Sequence, residues 1–361
     1  GLMERLFRAF QFMLAPVRGS LYLGVLLTAT VFAMATGIVG AAVTVLGIMA
    51  APIMMKRGYD VRLAAGVITA GGTLGILIPP SVMLIVMGPV IGVSVAELYA
   101  AAFGPGFLLA FLYIAYALIK SYLWPHLGPP LPPEERATSA FQIVKEFFVG
   151  MVPLGALIFA TLGSILGGLA TPTEAASMGA LGSLILSLLY RKLNIFMVKE
   201  AAFKTLQTSS MVLFLAVTSN IFGAVFARLG TATVMTETLL SLPILPMGML
   251  IIIMVIIFLL GWPFEWPAVI LIFVPIIFPV VQALKFDLLW FGTLVAVNLQ
   301  TAFLSPPVAM SAYYLKSVVP QWELSTIYRG MFDFMALQVI ALVLLILFPQ
   351  IALWLPSVLF K

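Results

Sequence analysis

Apolar positions in this sequence neither alternate nor keep to one helical face; they run on without charge for whole segments. Residues 19–55, 63–96, 98–119, 147–173, 205–227, 288–315 and 334–360 contain no Asp, Glu, Lys or Arg. Each stretch exceeds the roughly 20 residues that carry an α-helix across a ~30 Å hydrocarbon core. The pattern predicts an all-α polytopic membrane protein, without the period-two alternation of a transmembrane β-barrel. Two other segments, 2–13 and 194–206, mix basic with apolar residues and are expected to lie as interfacial helices.

Some of these stretches have awkward lengths. The 37 residues of 19–55 would make one helix about 55 Å long, yet two full spans need about 40 residues plus a turn. The midpoint, Ala35-Thr36-Gly37-Ile38-Val39-Gly40, holds no charge for a water-exposed loop. A re-entrant helical hairpin is therefore expected, its small residues letting two half-helices meet inside the membrane. Residues 247–281 read the same way around Gly261-Trp262-Pro263-Phe264-Glu265. Stretch 63–96 carries Gly71-Gly72-Thr73-Leu74-Gly75-Ile76-Leu77-Ile78-Pro79-Pro80 at its centre, and 288–315 carries Asn298-Leu299-Gln300-Thr301-Ala302-Phe303-Leu304-Ser305-Pro306-Pro307. Glycine and tandem proline interrupt helical hydrogen bonding. Two broken helices are predicted, with Pro79, Pro80, Pro306 and Pro307 at the breaks, baring carbonyls and half-helix N-termini.

A single offset of 227 relates the two halves, pairing Pro16 with Pro243, Pro52 with Pro279, Asp60 with Asp287, Pro79 with Pro306 and Pro80 with Pro307. Identical residues at equivalent breaks argue for duplication. Five full crossings are expected between the hairpins, an odd number that inverts the second copy. This parity puts fifteen of the 18 Lys and Arg residues on one side and leaves Arg228, Lys285 and Lys361 on the other. Positive-inside then makes the first side cytoplasmic, with hairpin one entering from it and hairpin two and the C-terminus periplasmic. The expected organisation is an interfacial arm (1–19), a first hairpin and broken helix (20–92), a scaffold with arm helices (93–245), a second hairpin and broken helix (246–319), and a C-terminal membrane helix (320–361). The scaffold includes a Pro-rich cytoplasmic loop (125–139), read as a stiff linker.

Composition narrows the function. With 63% apolar residues, 9% charged residues and a mean hydropathy of +1.19, the chain has far more apolar surface than a soluble fold can hide. No cysteine excludes thiolate, disulfide and iron–sulfur chemistry, and His126 alone makes no histidine metal site. The net charge of +5 is scattered beside apolar runs, unlike a nucleic-acid patch. The chain opens at Gly1 without a basic-then-apolar leader, so further chain is expected upstream. Inverted repeats with paired hairpins and paired broken helices suit a secondary transporter, whose substrate sits where the breaks converge. Half-helix N-termini favour an anion there, and unwound carbonyls and hydroxyls suit Na+. No Arg or Lys lies in any break.

Gly58-Tyr59-Asp60 leading into Gly-Thr-Leu-Gly-Ile-Leu-Ile-Pro-Pro-Ser (72–81), Ala170-Thr171-Pro172-Thr173-Glu174-Ala175-Ala176, and Val297-Asn298-Leu299-Gln300-Thr301 through Pro307 resemble the large membrane subunit of TRAP transporters. These are tripartite ATP-independent periplasmic transporters of the ion-transporter superfamily. The resemblance spans Gly1 to Pro356 and, set against the family pattern, leaves one or two N-terminal helices out. It implies an elevator in the bacterial inner membrane, Na+ as the coupling ion with no organic cofactor, and uptake of a small carboxylate or sulfonate. A small membrane subunit and a periplasmic substrate-binding protein are the implied partners. The first tip reads Ala35-Thr36-Gly37 where many members are Ser-rich, the second has Glu265 where Asp often stands, and Gly88-Pro89 replaces a frequent Gly-Asp.

The expected substrate-binding residues are Thr36, Gly37, Thr73, Glu265, Asn298, Gln300 and Thr301. The expected Na+ ligands are Thr36, Gly37, Gly40, Gly72, Thr73, Gly75, Gly261 and Thr301. Plainer roles stand beside these. Glu174 after Thr171-Pro172 has the spacing of a helix N-terminus, and Glu265 suits the first turn of a half-helix. Asn298, Gln300 and Thr301 could bond between helices, and Thr36 and Thr73 to their own backbone. Competing functions are a stand-alone ion or carboxylate carrier, an intramembrane enzyme, for which no nucleophile–base pair is visible, and a channel.

Overall fold

The computed structural model describes residues 2–132 and 140–360, and every regular element among them is helical. Among the described residues seven helices are long and apolar enough to cross a membrane, or eight if a pair bent by 45° is one span. The polytopic all-α class expected from the charge-free runs is therefore present. Residues 133–139 of the Pro-rich loop lie outside the described residues.

Helix α1 (Leu2–Met13) is amphipathic and buries Met3, Leu6, Phe7 and Phe10 against α2 (Ser20–Thr36) and α7 (Ala140–Ile158). Helices α2 and α3 (Val39–Lys56) form the first helical hairpin, turned at Gly37 with φ +61°. A side chain is strained in that left-handed region, which glycine occupies freely. Asp60 starts α4 (Val61–Leu77) by accepting a 2.7 Å hydrogen bond from the Leu63 amide. After a break at 78–81, α5 (Val82–Ile91) continues at an angle, and α6 (Val95–Leu123) follows.

From α6 the chain passes through a short turn (Pro125–Leu127) into a segment bonded to the base of hairpin one. The Gly19 amide donates to the Gly128 carbonyl at 2.9 Å, Asp60 to Leu127 at 3.0 Å, and Leu131 to Ala15 at 3.0 Å. The Tyr22 hydroxyl donates to Leu127 (2.6 Å) and the Tyr59 hydroxyl to Pro129 (2.7 Å). Burial pushes the Tyr59 phenol above its ordinary range. The described part of the Pro-rich loop is thus a docked strap.

Helix α7 runs through a π turn (Phe159–Gly163) into α8 (Ser164–Leu166). Helix α9 (Pro172–Leu189) opens on a capping box: Thr171 Oγ1 accepts from the Glu174 amide, and Glu174 Oε2 accepts from the Thr171 amide at 2.8 Å. The structure therefore gives Glu174 the role of a cap. Helix α10 (Ile195–Arg228) corrects one expectation, because the predicted interfacial segment 194–206 continues unbroken into the span for 34 residues. Its first half lacks Gly and Pro and carries a Glu200–Lys204 pair one turn apart at 2.6 Å, so nothing ends the helix. Helix α11 (Thr231–Ser241) leads to the second hairpin.

That hairpin comprises α12 (Pro246–Leu260), a tip at 261–265, α13 (Trp266–Ala268), a π turn (Val269–Phe273) and α14 (Val274–Ala283). Asp287 caps α15 (Leu288–Asn298) through the Trp290 amide at 2.8 Å, as Asp60 caps α4. An irregular stretch with a tight turn at Thr301–Phe303 precedes α16 (Met310–Val318). The Pro79-Pro80 and Pro306-Pro307 peptides are both cis. The expected single C-terminal helix is two, α17 (Leu324–Leu347) and α18 (Gln350–Leu359), parted at Phe348-Pro349, where Pro349 has no N–H to give the Leu345 carbonyl and Trp290 Nε1 donates to it instead at 3.0 Å.

The core centres on α4, which packs on α2, α3, α6 and α17, while α15 packs on α6 and α17. By contrast only 6% of the apolar windows of α9 and α10 is buried within the chain.

Candidate functional site

The two breaks are not built alike. In the first, Gly71, Gly72 and Gly75 are helical, so the interruption expected across 71–80 shrinks to 78–81. The reason is packing: a Cβ on Gly72 would stand 2.3 Å from Val43 Cγ2, and one on Gly75 3.6 Å from the Ile38 amide. These glycines seat hairpin one on α4 and leave the helix intact. The Pro79-Pro80 step does break it, and Ser81, whose hydroxyl donates to the Ile76 carbonyl, caps α5. Thr73 Oγ1 donates to Ala70 O at 2.8 Å and lies 3.5 Å from Gln338 Nε2, which donates to the Tyr113 hydroxyl at 2.8 Å. Thr73 therefore faces α17 and α6.

The second break is longer and richer in polar groups. Asn298 Nδ2 donates to the Met254 carbonyl of α12 at 2.7 Å, tying the break to hairpin two, while its Oδ1 is buried without a protein partner. Gln300, 0% exposed, has no protein partner at either amide atom. It stands one offset of 227 from Thr73, so the same repeat position is paired in one copy and unpaired in the other. Thr301 Oγ1 donates to Asn298 O at 2.7 Å, and Ser305 Oγ to Thr301 O at 2.6 Å.

Several expected residues meet. A Cβ on Gly37 would lie 2.8 Å from the Pro80 carbonyl, so the first tip abuts the first break. A Cβ on Gly261 would lie 3.2 Å from Ala302, so the second tip abuts the second break. The Tyr314 ring lies against Gly40, 2.9 Å from where its Cβ would be, and interacts electrostatically with Glu265. Glu265 is exposed and, with Trp266, Ala302, Phe303, Val308 and Met310, lines a small cleft between the second tip and the second break. Thr73 and the Asn298 amide point to other helices. The residue-by-residue reading missed Tyr314, Gln338 and Tyr113. Gln338 had a visible signal, an amide within a charge-free run, where an unpaired polar group is costly.

Chemically, the tips and breaks offer two kinds of ligand. Ile38 and Ala309 stand at the N-caps of α3 and α16 without a side-chain cap, leaving first-turn amides that favour an anion, whereas at α13 Pro267 has no N–H and the Ala268 amide donates to the Glu265 carbonyl. The hydroxyls of Thr36, Thr73 and Thr301 each donate to a carbonyl of their own segment, Thr36 to Phe32 O at 3.1 Å. At Thr36 and Thr301 the committed proton leaves only lone pairs outward, which suits a hard monovalent cation, whereas the Thr73 oxygen already faces Gln338 Nε2. Among the described residues no group of three His, Cys, Asp or Glu could hold a metal ion.

Apolar spans, helical hairpins and proline-broken helices define a polytopic α-helical membrane protein with polar interruptions at the hairpin tips and helix breaks. Within that class, residues 1–351 match the model of the tripartite ATP-independent periplasmic transporter, DctM component, and the chain belongs to that family. It is 28% identical over 381 residues to the C4-dicarboxylate TRAP transporter large permease protein DctM of Vibrio cholerae serotype O1, covering 99% of this chain and 82% of the relative. The sialic acid TRAP transporter large permease protein SiaM of the same organism is 28% identical over 358 residues, with the same coverage. The isethionate TRAP transporter permease protein DctMQ of Oleidesulfovibrio alaskensis is 29% identical over 319 residues, covering 88% of this chain and 49% of the relative.

Proposed function

We propose that this chain is the large membrane subunit of a Na+-coupled transporter that takes up a small organic anion. A periplasmic binding protein delivers the substrate and a small membrane subunit completes the assembly. The observation that carries this reading is the pairing of the uncapped N-termini of α3 and α16 with the proton-committed hydroxyls of Thr36 and Thr301 around tips and breaks that hold no Lys or Arg. Such a site attracts an anion through amides alone and strengthens when a cation neutralises it, which is the physical basis of coupling. C4-dicarboxylate, sialic acid and isethionate, named for the relatives, share an anionic group on a small polar body.

Alternating access follows an elevator. The tight packing of α4 on α2, α3, α6 and α17, and of α15 on α6 and α17, supports one moving body that includes α6. The bare α9 and α10 supply the static scaffold. Hairpin one enters from the cytoplasm and hairpin two from the periplasm of the inner membrane, in keeping with the distribution of basic residues. Uptake by proteoliposomes holding the full assembly, scanned over small carboxylates and sulfonates with and without a Na+ gradient, tests the reading. Accumulation above equilibrium that needs both Na+ and the binding protein is expected; uptake that needs neither refutes it.

A further inference from the structure

A second polar feature lies away from the tips and breaks, where α1, α7 and α9 meet. On α9, Ser183, Leu186, Ser187 and Tyr190 follow helical spacing and form one stripe facing a groove. Leu157 of α7, Leu2 and Arg5 of α1, and Lys192, just past the end of α9, complete the lining. Both cations are exposed, and neither has a carboxylate partner among the described residues. Lys192 is held there by the end of α9, its amide donating to the Ser187 carbonyl at 2.9 Å.

We propose that this groove binds an anionic phospholipid, its phosphate between Arg5 and Lys192 and an acyl chain along Leu2, Leu157 and Leu186. Charge decides the occupant: two cations without a carboxylate partner among the described residues, in a groove that also holds Leu2, Leu157 and Leu186, match a molecule that is anionic at one end and hydrocarbon at the other. Tyr190 and Ser187, the lining residues of α9 nearest Lys192 in the chain, add an amphipathic ring and a hydroxyl of the kind found at a membrane interface. Position gives the site a consequence. Helix α1 packs on α2 of hairpin one on one side and on α7 on the other, where Leu6 fits over Gly150. A lipid wedged between α1 and α9 therefore fixes the arm against the helices beside it.

The test is thermal unfolding of detergent-purified protein, followed by tryptophan fluorescence while phosphatidylglycerol or phosphatidylcholine is added. Phosphatidylglycerol is expected to raise the midpoint saturably and phosphatidylcholine to leave it unmoved. Each cation beside an anionic headgroup contributes about fivefold in affinity, so R5Q/K192Q should need roughly 30-fold more phosphatidylglycerol. L186W keeps the charges and fills the channel, and should also lose the response. R8Q/K199Q removes two cations outside the groove and should respond like the parent. The proposal is overturned if R5Q/K192Q keeps the parent response or R8Q/K199Q loses it equally. It is likewise overturned if inorganic phosphate at millimolar concentration gives the same shift as the lipid.

Discussion

Gly72 offers the sharpest test of how hairpin one sits on its broken helix. In G72A the new methyl would stand 2.3 Å from Val43 Cγ2, 3.1 Å from the Val43 amide nitrogen and 3.3 Å from its Cα. Carbon atoms rest at about 3.5–4.0 Å, so the valine methyl must retreat by more than 1 Å. Val43 is fully buried, and a β-branched side chain in a helix has essentially one rotamer, so the strain passes to the seating of α3 on α4. Overpacking of this kind costs about 1–3 kcal/mol. V43A removes the clashing methyl and leaves contacts tight by only tenths of an ångström, so G72A/V43A should be less destabilised than the sum of the single changes, with a coupling of about 0.5–3 kcal/mol. Gly330 is the contrast. A Cβ there meets the Arg62 carbonyl at 2.0 Å and the Gly66 amide nitrogen at 3.0 Å, both backbone, so G330A should cost more and no side-chain deletion at Arg62 should relieve it. Denaturant unfolding in detergent, followed by tryptophan fluorescence, reads all of these variants. A G72A protein as stable as its parent, or a double variant that is strictly additive, would refute the close seating of the hairpin.

Other residues give shorter tests. Q300L should fold at least as stably as the parent, since a buried amide without a protein partner carries about 1–3 kcal/mol of desolvation, while uptake falls at least tenfold; loss of stability with uptake intact would place Gln300 in packing alone. Y113F and Q338L should each cost about 1 kcal/mol in unfolding assays and couple with one another, because they remove opposite ends of the same 2.8 Å hydrogen bond between α6 and α17. R62A should cost no more than about 1 kcal/mol despite its 2.8 Å contact with Asp333, because the side chains are 50% and 27% exposed, and D333A should cost more because the Tyr116 hydroxyl also loses its acceptor at 2.8 Å; added salt should shrink the R62A effect.

What could be read from the sequence follows the range of the physics involved. Charge-free length and tandem proline are signals carried within a single segment, and the helical hairpins and both breaks appear where those signals stand, as does the helix start at Thr171-Pro172-Glu174. Glycine misled because its local and its distant meanings differ. At Gly71, Gly72 and Gly75 the local meaning is a weak helix, whereas what the fold uses is the missing side chain, against a hairpin some 30 residues away in the chain. The same limit applies to α10, where its two expected pieces differ in composition but nothing between them breaks hydrogen bonding.

The duplication explains why residue-level site prediction was harder still. An offset of 227 makes Thr73 and Gln300 equivalent, and symmetry alone would give both the same role. Yet Thr73 is engaged by Gln338, a residue of α17 lying outside both hairpins and both broken helices, and Gln300 is not engaged at all. Elements appended after the second broken helix thus occupy the polar position of one copy and leave that of the other open. A substrate has head and tail and needs no symmetric site. On this reading the first copy meets the substrate with backbone at a tightly seated tip, and side-chain recognition falls to the second copy. Changes of substrate among relatives should then concentrate around Glu265 and 298–305, with the glycine face of α4 left alone, because any side chain added there disturbs the hairpin before it reaches the ligand.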